Sequence, residues 1–274
     1  MKILHVHEEP LHTFQCFNLA PGGRKVEERQ IPVLQIVVDD LGDPGLDALV
    51  ITSDLQGFDA YDCPVSERRL LGHIVAEGMP RLVPDPSRVG VVLAGDFFAL
   101  PALNRRGGLG DVQAIWSAFA HHFRWVVGVA GNHDSFKGRT DFVGVFEGEP
   151  SIYPLHGTAV HLDGLWIGGI SGIHGAPIRA WRHNNRDLQR MLRSVLAARP
   201  ELLVLHEGPD RPDKPGAGRR ALRDTLNKAH VEALVICGHR HWEHPVASLE
   251  AGTQVLNVDS RVVVLTRDGF TLGG

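Results

Sequence analysis

The sequence predicts an α/β fold, and three observations predict it. Short apolar runs alternate with amphipathic stretches between Ala48 and Val129, the pattern of strand, helix and strand around a parallel sheet. Beyond Thr158 the apolar runs shorten and alternate with polar residues, adding a second half richer in strands. Several runs also stop abruptly in Asp, Asn or His, as in open α/β sheets that present ligand-binding groups at the carboxyl ends of their strands.

Ile3 to Val6 and Thr13 to Leu19, separated by Glu8, Glu9 and Pro10, read as an N-terminal β-ribbon. Pro21 to Arg29 is a Gly- and charge-rich turn, and Pro32 stands where a first helical turn tolerates proline, so a helix is expected over Val33 to Leu41. Ala48 to Thr52 is a buried strand, Ser66 to Ala76 a helix, Pro80 to Pro86 a loop and Val89 to Leu93 the next strand. Asp111 can cap a helix whose apolar face holds Val112, Ile115, Trp116 and Phe119, leading into the β-branched run Val126, Val127 and Val129. Strands follow at Ala159 to His161 and Leu165 to Ile170, then a helix from about Ile178 to Ala198 and a strand at Leu202 to Leu205. After the Pro/Gly-rich loop Gly208 to Gly218 come a helix to about Ala229, a strand at Ala233 to Cys237 and a β-meander from Pro245 to Thr271.

With 274 residues, 43% hydrophobic and 22% charged, the chain can bury one sizeable core, and a single domain over 1–274 is expected. No apolar run approaches a membrane span, and Met1 to Pro10 lacks the hydrophobic region of a secretory signal, so a cytoplasmic protein is expected. Cys16, Cys63 and Cys237 form no CxxC pair, and their odd number argues against a disulfide framework. A formal net charge of -4 offers no global attraction to nucleic acid, so any such binding must be local.

Five strands end in metal-capable side chains: Asp54 with Gln56, Asp96, Asn132 with His133, His206, and His239 with His241. Carboxylate, amide oxygen and imidazole together suit borderline divalent ions, Mn²⁺, Fe²⁺, Zn²⁺ or Co²⁺, better than an all-oxygen Mg²⁺ site or a thiolate zinc site. Seven or eight donors exceed the needs of one ion. Two ions about 3.5–4 Å apart, bridged by a carboxylate, would use them all, and such a pair serves hydrolytic phosphoryl transfer.

Asp54-Leu-Gln56, Gly95-Asp96, Gly131-Asn-His-Asp134, His206 and Gly238-His-Arg-His241, in this order and approximate spacing, resemble the calcineurin-like metallophosphoesterase family over roughly residues 48–258. The resemblance implies two facing mixed β-sheets flanked by helices, a four-layer α/β/β/α sandwich. Residues 1–47 would then be an N-terminal ribbon and helix extension and 259–274 C-terminal strands. It implies one metal held by Asp54, Asp96, His241 and Gln56, and a second by Asp96, Asn132, His206 and His239. The ions would be Mn²⁺ first, with Fe, Zn, Co or Ni as alternatives, and a metal-bridging hydroxide would attack phosphorus in line. His133 would act as the catalytic histidine, with Asp134 orienting it or serving as a turn carboxylate. Gln56 departs from the family, where a histidine is usual, which leaves three readings: a dinuclear enzyme with a tuned first site, an enzyme loading its ions unequally, and a binding scaffold.

For substrate, Arg179, Arg182, Arg186, Arg190 and Arg193 fall at helical spacing just after His174. That stripe is either a solvated helix face or a phosphate-backbone rail, in which case His174 and Arg182 would contact substrate and a nuclease is implied. Arg219, Arg220 and Arg223 have the same two readings. The expectation is a metal-dependent phosphoesterase acting on phosphodiesters.

Overall fold

The computed structural model describes residues 1–20, 23, 25–104, 107–138 and 143–270. Strands β1 (Ile3–Val6), β2 (His12–Leu19) and β3 (Val26–Val38) come first, followed by β4 (Ala48–Ser53), helix α1 (Leu71–Gly78) and β5 (Val89–Leu93). Then come β6 (Gly110–Asp111), α2 (Gln113–His122), β7 (Trp125–Gly128), β8 (Asp134–Ser135) and β9 (Ile152–Pro154). The second half runs β10 (Thr158–Leu162), β11 (Leu165–Ile170), β12 (Ile173–His174), β13 (Arg182–His183), α3 (Asn185–Ala197) and β14 (Leu202–Glu207). It continues through α4 (Arg220–Ala229), β15 (Leu234–Gly238), β16 (Val246–Ser248), β17 (Gln254–Asn257) and β18 (Arg261–Arg267).

Two mixed sheets face each other. The first has the order β1-β3-β18-β4-β5-β7-β9 with β2 also on β3, and the second the order β10-β11-β14-β15-β17-β16. Period-two alternation divides each central strand between two layers. Leu49, Ile51, Val92 and Val127 of the first sheet meet Ile167, Leu202, Val204 and Ile236 of the second in the inner core. Val50, Val91 and Val126 face the other way, onto Leu71, Val75, Ile115, Trp116 and Phe119 of α1 and α2. Leu203, Leu205 and Val235 likewise receive Leu188, Leu192, Leu222 and Leu226 of α3 and α4. This is the α/β/β/α sandwich. Strands buried on both faces explain the nearly continuous apolar runs that made β4, β5, β14 and β15 readable.

Four local expectations are corrected. Val33 to Leu41 is no helix: β3 runs straight through Pro32, pairing with β2 along Val26 to Val33 and with β1 along Ile36 to Val38. Pro32 is tolerated because β18 joins the opposite edge only from Val33 onward, so that edge loses no ladder bond to the missing N–H. Nor do β1 and β2 form a ribbon with each other; they lie end to end on β3. The helix expected from Ile178 begins at Asn185, because Trp181 takes a left-handed φ of 54° and the Asn184 side chain caps the helix by accepting the Asp187 amide. The C-terminal region is not a meander: β17 pairs in parallel with β15, and β18 crosses into the first sheet between β3 and β4. Pro21, Gly22 and Arg24 of the expected turn, and 271–274 of the expected C-terminal strands, lie outside the described residues. Among the described residues, no helix is long and apolar enough to cross a membrane.

Candidate metal centre

Strands β4, β5 and β7 are parallel neighbours in one sheet, and β14 and β15 are parallel neighbours in the other. Their carboxyl ends deliver Asp54, Asp96, Asn132 with His133, His206 and His239. Asp54, Asp96 and His239 have φ values of 54°, 61° and 65°, the left-handed region that non-glycine residues rarely occupy. Glycines at these strand ends let the turns close. A Cβ on Gly131 would stand 2.0 Å from Asp96 Oδ1, and one on Gly238 would stand 2.3 Å from Asp54 Oδ2. Only glycine lets these backbones approach the carboxylates so closely.

Asp134 ties two of these turns together. Its side chain is fully buried, and its oxygens accept the amides of Asp96, Phe97 and Gly131, each at 2.8 Å. The His133 amide in turn donates to Asp96 Oδ1 at 2.8 Å. The His133 ring is oriented elsewhere: its Nδ1 lies 2.6 Å from the Gly108 carbonyl. A carbonyl only accepts, so Nδ1 carries the proton and Nε2 faces the cleft, 3.9 Å from Asp96 Oδ2. Asp134 therefore acts on the backbone, and the expectation that it orients the imidazole gives way to the Gly108 contact.

Donor atoms of Asp96, His206 and His239 all lie within 4.8 Å of one another. His206 is completely buried; its Nδ1 donates to the Ala94 carbonyl at 2.7 Å, which aims Nε2 at Asp96. That Nε2 stands 3.4 Å from Asp96 Oδ2, within ion-pairing reach but without hydrogen-bond geometry, and has no other partner. Asn132 Oδ1 is likewise buried and unpartnered. An orphaned buried polar atom costs about 1–3 kcal/mol, so two around one carboxylate mark a place for a cation, which would take up the Asn132 oxygen and replace the proton on His206. The set of carboxylate, amide oxygen and two imidazoles fits a borderline divalent cation.

Electrostatics agree. Burial and the charges of Asp259 and Asp96 push Asp54 well above the usual carboxylate range, because three carboxylates converge in a poorly solvated cleft. Burial opposes ionisation of Asp96 too, but the charge of His206 outweighs it and holds that carboxyl down at about 2. Burial likewise works against a charged His206, but Asp96 and Asp54 outweigh it and raise the imidazole to about 10, so a cation bound here would replace a proton on Nε2. Burial and the charge of His206 bring His239 down to about 4, leaving it a neutral imidazole with a lone pair to give.

The other predicted donors are less gathered. Asp54 Oδ2 accepts the Ser53 hydroxyl at 2.7 Å and the His239 amide at 2.8 Å. Gln56 turns its amide nitrogen toward Asp96 Oδ2, 3.4 Å away. His241 has a side chain 51% exposed; its Nδ1 donates to the Asp259 carbonyl at 3.0 Å, and its Nε2 receives the Arg261 guanidinium at 3.1 Å. All three line the same cleft of about 330 Å³ with Asp96, His133 and His239. A larger cavity of about 540 Å³ at the amino ends of β14 and β15 is lined by Glu201, His230 and Glu232, but among the described residues their donors do not gather as those of Asp96, His206 and His239 do.

His174 and Arg182 do not line the cleft: they lie in the paired strands β12 and β13, His174 opposite His183 and Arg182 opposite Ile173, and the His174 amide donates to Glu207 at 2.7 Å. The arginine stripe is interrupted as well, since Arg179 and Arg182 precede α3 and Arg190 pairs with Asp187. Arg223 is held between Asp210 and Glu250. The cleft also contains Asn18, Arg29 and Asp259, which the sequence reading missed. Asp259 was legible in principle, as a carboxylate just past the apolar β17; Asn18 and Arg29 carry no local signal.

A family model, calcineurin-like phosphoesterase, matches residues 48–243. No curated protein matches the sequence. Among solved structures, TT1561 of Thermus thermophilus is similar at a TM-score of 0.54 with 15% identity, over 77% of this chain and 88% of that one. Weaker likenesses are a protein of unknown function, AQ665 from Aquifex aeolicus, and the calcineurin-like phosphoesterase YfkN from Bacillus subtilis. AQ665 has a TM-score of 0.36 and 16% identity over 79% of this chain and 95% of its own, and YfkN 0.47 and 12% over 77% and 80%. The fold is shared with TT1561, and on the extent of the family match, which takes in the strand ends from Asp54 to His241, this chain belongs to the calcineurin-like phosphoesterase family.

Proposed function

We propose that this protein is a metal-dependent phosphoesterase that hydrolyses phosphodiesters in preference to monoesters by in-line attack of water. The observation that carries the reading is the pair of buried atoms without a hydrogen bond, His206 Nε2 and Asn132 Oδ1, beside Asp96 and His239. These four residues would hold one divalent ion, Mn²⁺ by preference. Asp96 would share its carboxylate with a second ion held by Asp54, Gln56 and His241. Bound there, the ions would supply Lewis acidity to phosphoryl oxygens and acidify the attacking water. His133 is positioned by Gly108 with Nε2 toward the cleft, where its protonated form can give the leaving oxygen a proton. Asp259 is a cleft carboxylate assigned to neither ion, so a monoanionic diester meets less repulsion from it than a dianionic monoester. The reading does not extend to nucleic acid, because the arginines from Arg179 to Arg193 and from Arg219 to Arg223 do not line the cleft. Three free cysteines fit a reducing, cytoplasmic setting.

The test is hydrolysis of bis(nitrophenyl) phosphate and nitrophenyl phosphate by Mn²⁺-loaded protein, beside Asp96→Asn. The diester should turn over faster, and the variant should lose at least about a hundredfold, since it removes charge that positions the transition state. No hydrolysis by the loaded protein, or near-normal hydrolysis by Asp96→Asn, overturns the reading.

A further inference from the structure

The segment matching the family model begins at residue 48, yet two side chains that precede it reach the cleft. Asn18 lies near the end of β2 and Arg29 in β3, on the same strand face as the buried Ile31 and Val33. Both strands are firmly seated. Residues His12 to Leu19 pair with Val33 to Val26, and Phe17 exchanges backbone hydrogen bonds of 2.8 and 3.0 Å with Phe58, just past Gln56. The buried Asn18 amide also donates to the Gln56 carbonyl at 2.6 Å, which anchors the Gln56 turn to β2. Arg29 is the Lys or Arg side chain that lines the cleft among the described residues, together with Asp54, Asp96 and Asp259. Its ion pair with Glu27 is long, 3.8 Å, with both side chains about one-third exposed, so donors remain for a ligand.

We propose that Arg29 binds a nonbridging phosphoryl oxygen of the substrate, making the β2–β3 pair a specificity wall supplied from outside the matched segment. A planar guanidinium on a rigid strand offers two parallel N–H groups to such an oxyanion, and it costs little to order because the strand is already fixed. This rests on the phosphoesterase reading and adds the residue that grips the anion.

The experiment compares Mn²⁺-loaded wild type, Arg29→Ala and Arg29→Lys on both nitrophenyl esters, with inorganic phosphate as competitive inhibitor and as calorimetric ligand. In Arg29→Ala, KM and the phosphate inhibition constant should rise about tenfold or more, and further for the dianionic monoester than for the diester. Arg29→Lys should recover part of this, and metal content should stay at the wild-type value. Unchanged KM and phosphate affinity in Arg29→Ala overturn the proposal, as does a loss of metal in parallel, which would make Arg29 a structural prop. Should the wild type hydrolyse neither ester, the phosphoesterase reading fails on its own; equal phosphate affinities of wild type and Arg29→Ala then still decide against Arg29.

Discussion

Replacing Asp134 with alanine removes the acceptor of three buried amides at once, those of Asp96, Phe97 and Gly131. Leaving a buried donor unpaired costs about 1–3 kcal/mol, so three come to roughly 3–6 kcal/mol once partial relaxation is allowed. That is a large share of the 5–15 kcal/mol or so that stabilises a typical domain. Asp134→Asn is milder: its oxygen can keep the two amides at Oδ2, while its NH₂ meets the Phe97 amide, for a loss of about 1–3 kcal/mol. Denaturant unfolding of the metal-free forms reads these differences, and Mn²⁺ calorimetry reads the consequence for Asp96. Because Asp134 is sealed from the cleft, affinity for the ion should fall in both variants while kcat of the loaded protein falls less. Stability within about 1 kcal/mol of wild type, together with a collapse of kcat at normal metal affinity, would refute this reasoning and return Asp134 to the reaction itself.

Titration of metal-free protein with Mn²⁺ should show two stages, the second about 10–100-fold weaker. The second ion must displace Arg261 from His241 and Ser53 from Asp54, at about 0.5–1.5 kcal/mol for each hydrogen bond. Gln56→His should tighten only that weak stage, by roughly tenfold; an unchanged titration with an altered KM would show that Gln56 meets substrate instead. Asp163 accepts Arg124 at 2.7 Å and Trp125 Nε1 at 2.7 Å, clipping the β10–β11 turn to β7. Asp163→Ala should cost about 1–2 kcal/mol at neutral pH, a modest figure because the Arg124 end is exposed. Hydrogen bonds from Arg124 and Trp125 lower the Asp163 pKa, so this stability is present above the unfolded carboxylate pKa and lost as pH falls through the folded value. Urea melts should show the gap closing toward pH 3, and a gap that widens there would contradict the assignment.

The strands that carry the centre were readable because both of their faces are buried, so runs such as Val89–Leu93 and Leu234–Gly238 are apolar throughout and stop where the backbone turns. Failures occurred where tertiary pairing overrode local signals. Pro32 looks like a helix start only until β2 and β18 are seen to flank it, and the spacing of Arg179 to Arg193 suggests one helix although Arg182 and His183 pair with Ile173 and His174. Asn18 and Arg29 reach the cleft through register with partners far away in sequence, which composition and spacing do not encode.

Strand β18 lies between β3 and β4, so the ladder joining the ribbon that carries Asn18 and Arg29 to the strand of Asp54 is completed by residues made more than 200 positions later. During synthesis at about 5–20 residues per second, β3 and β4 therefore wait on the order of ten seconds or more with their facing edges unpaired. Pairings this distant in sequence fold slowly and expose sticky edges meanwhile, so the half-made chain depends on rapid capture of Arg261–Arg267 to escape aggregation. A break in translation before Arg261 would leave the family motifs intact in sequence and the cleft without its wall.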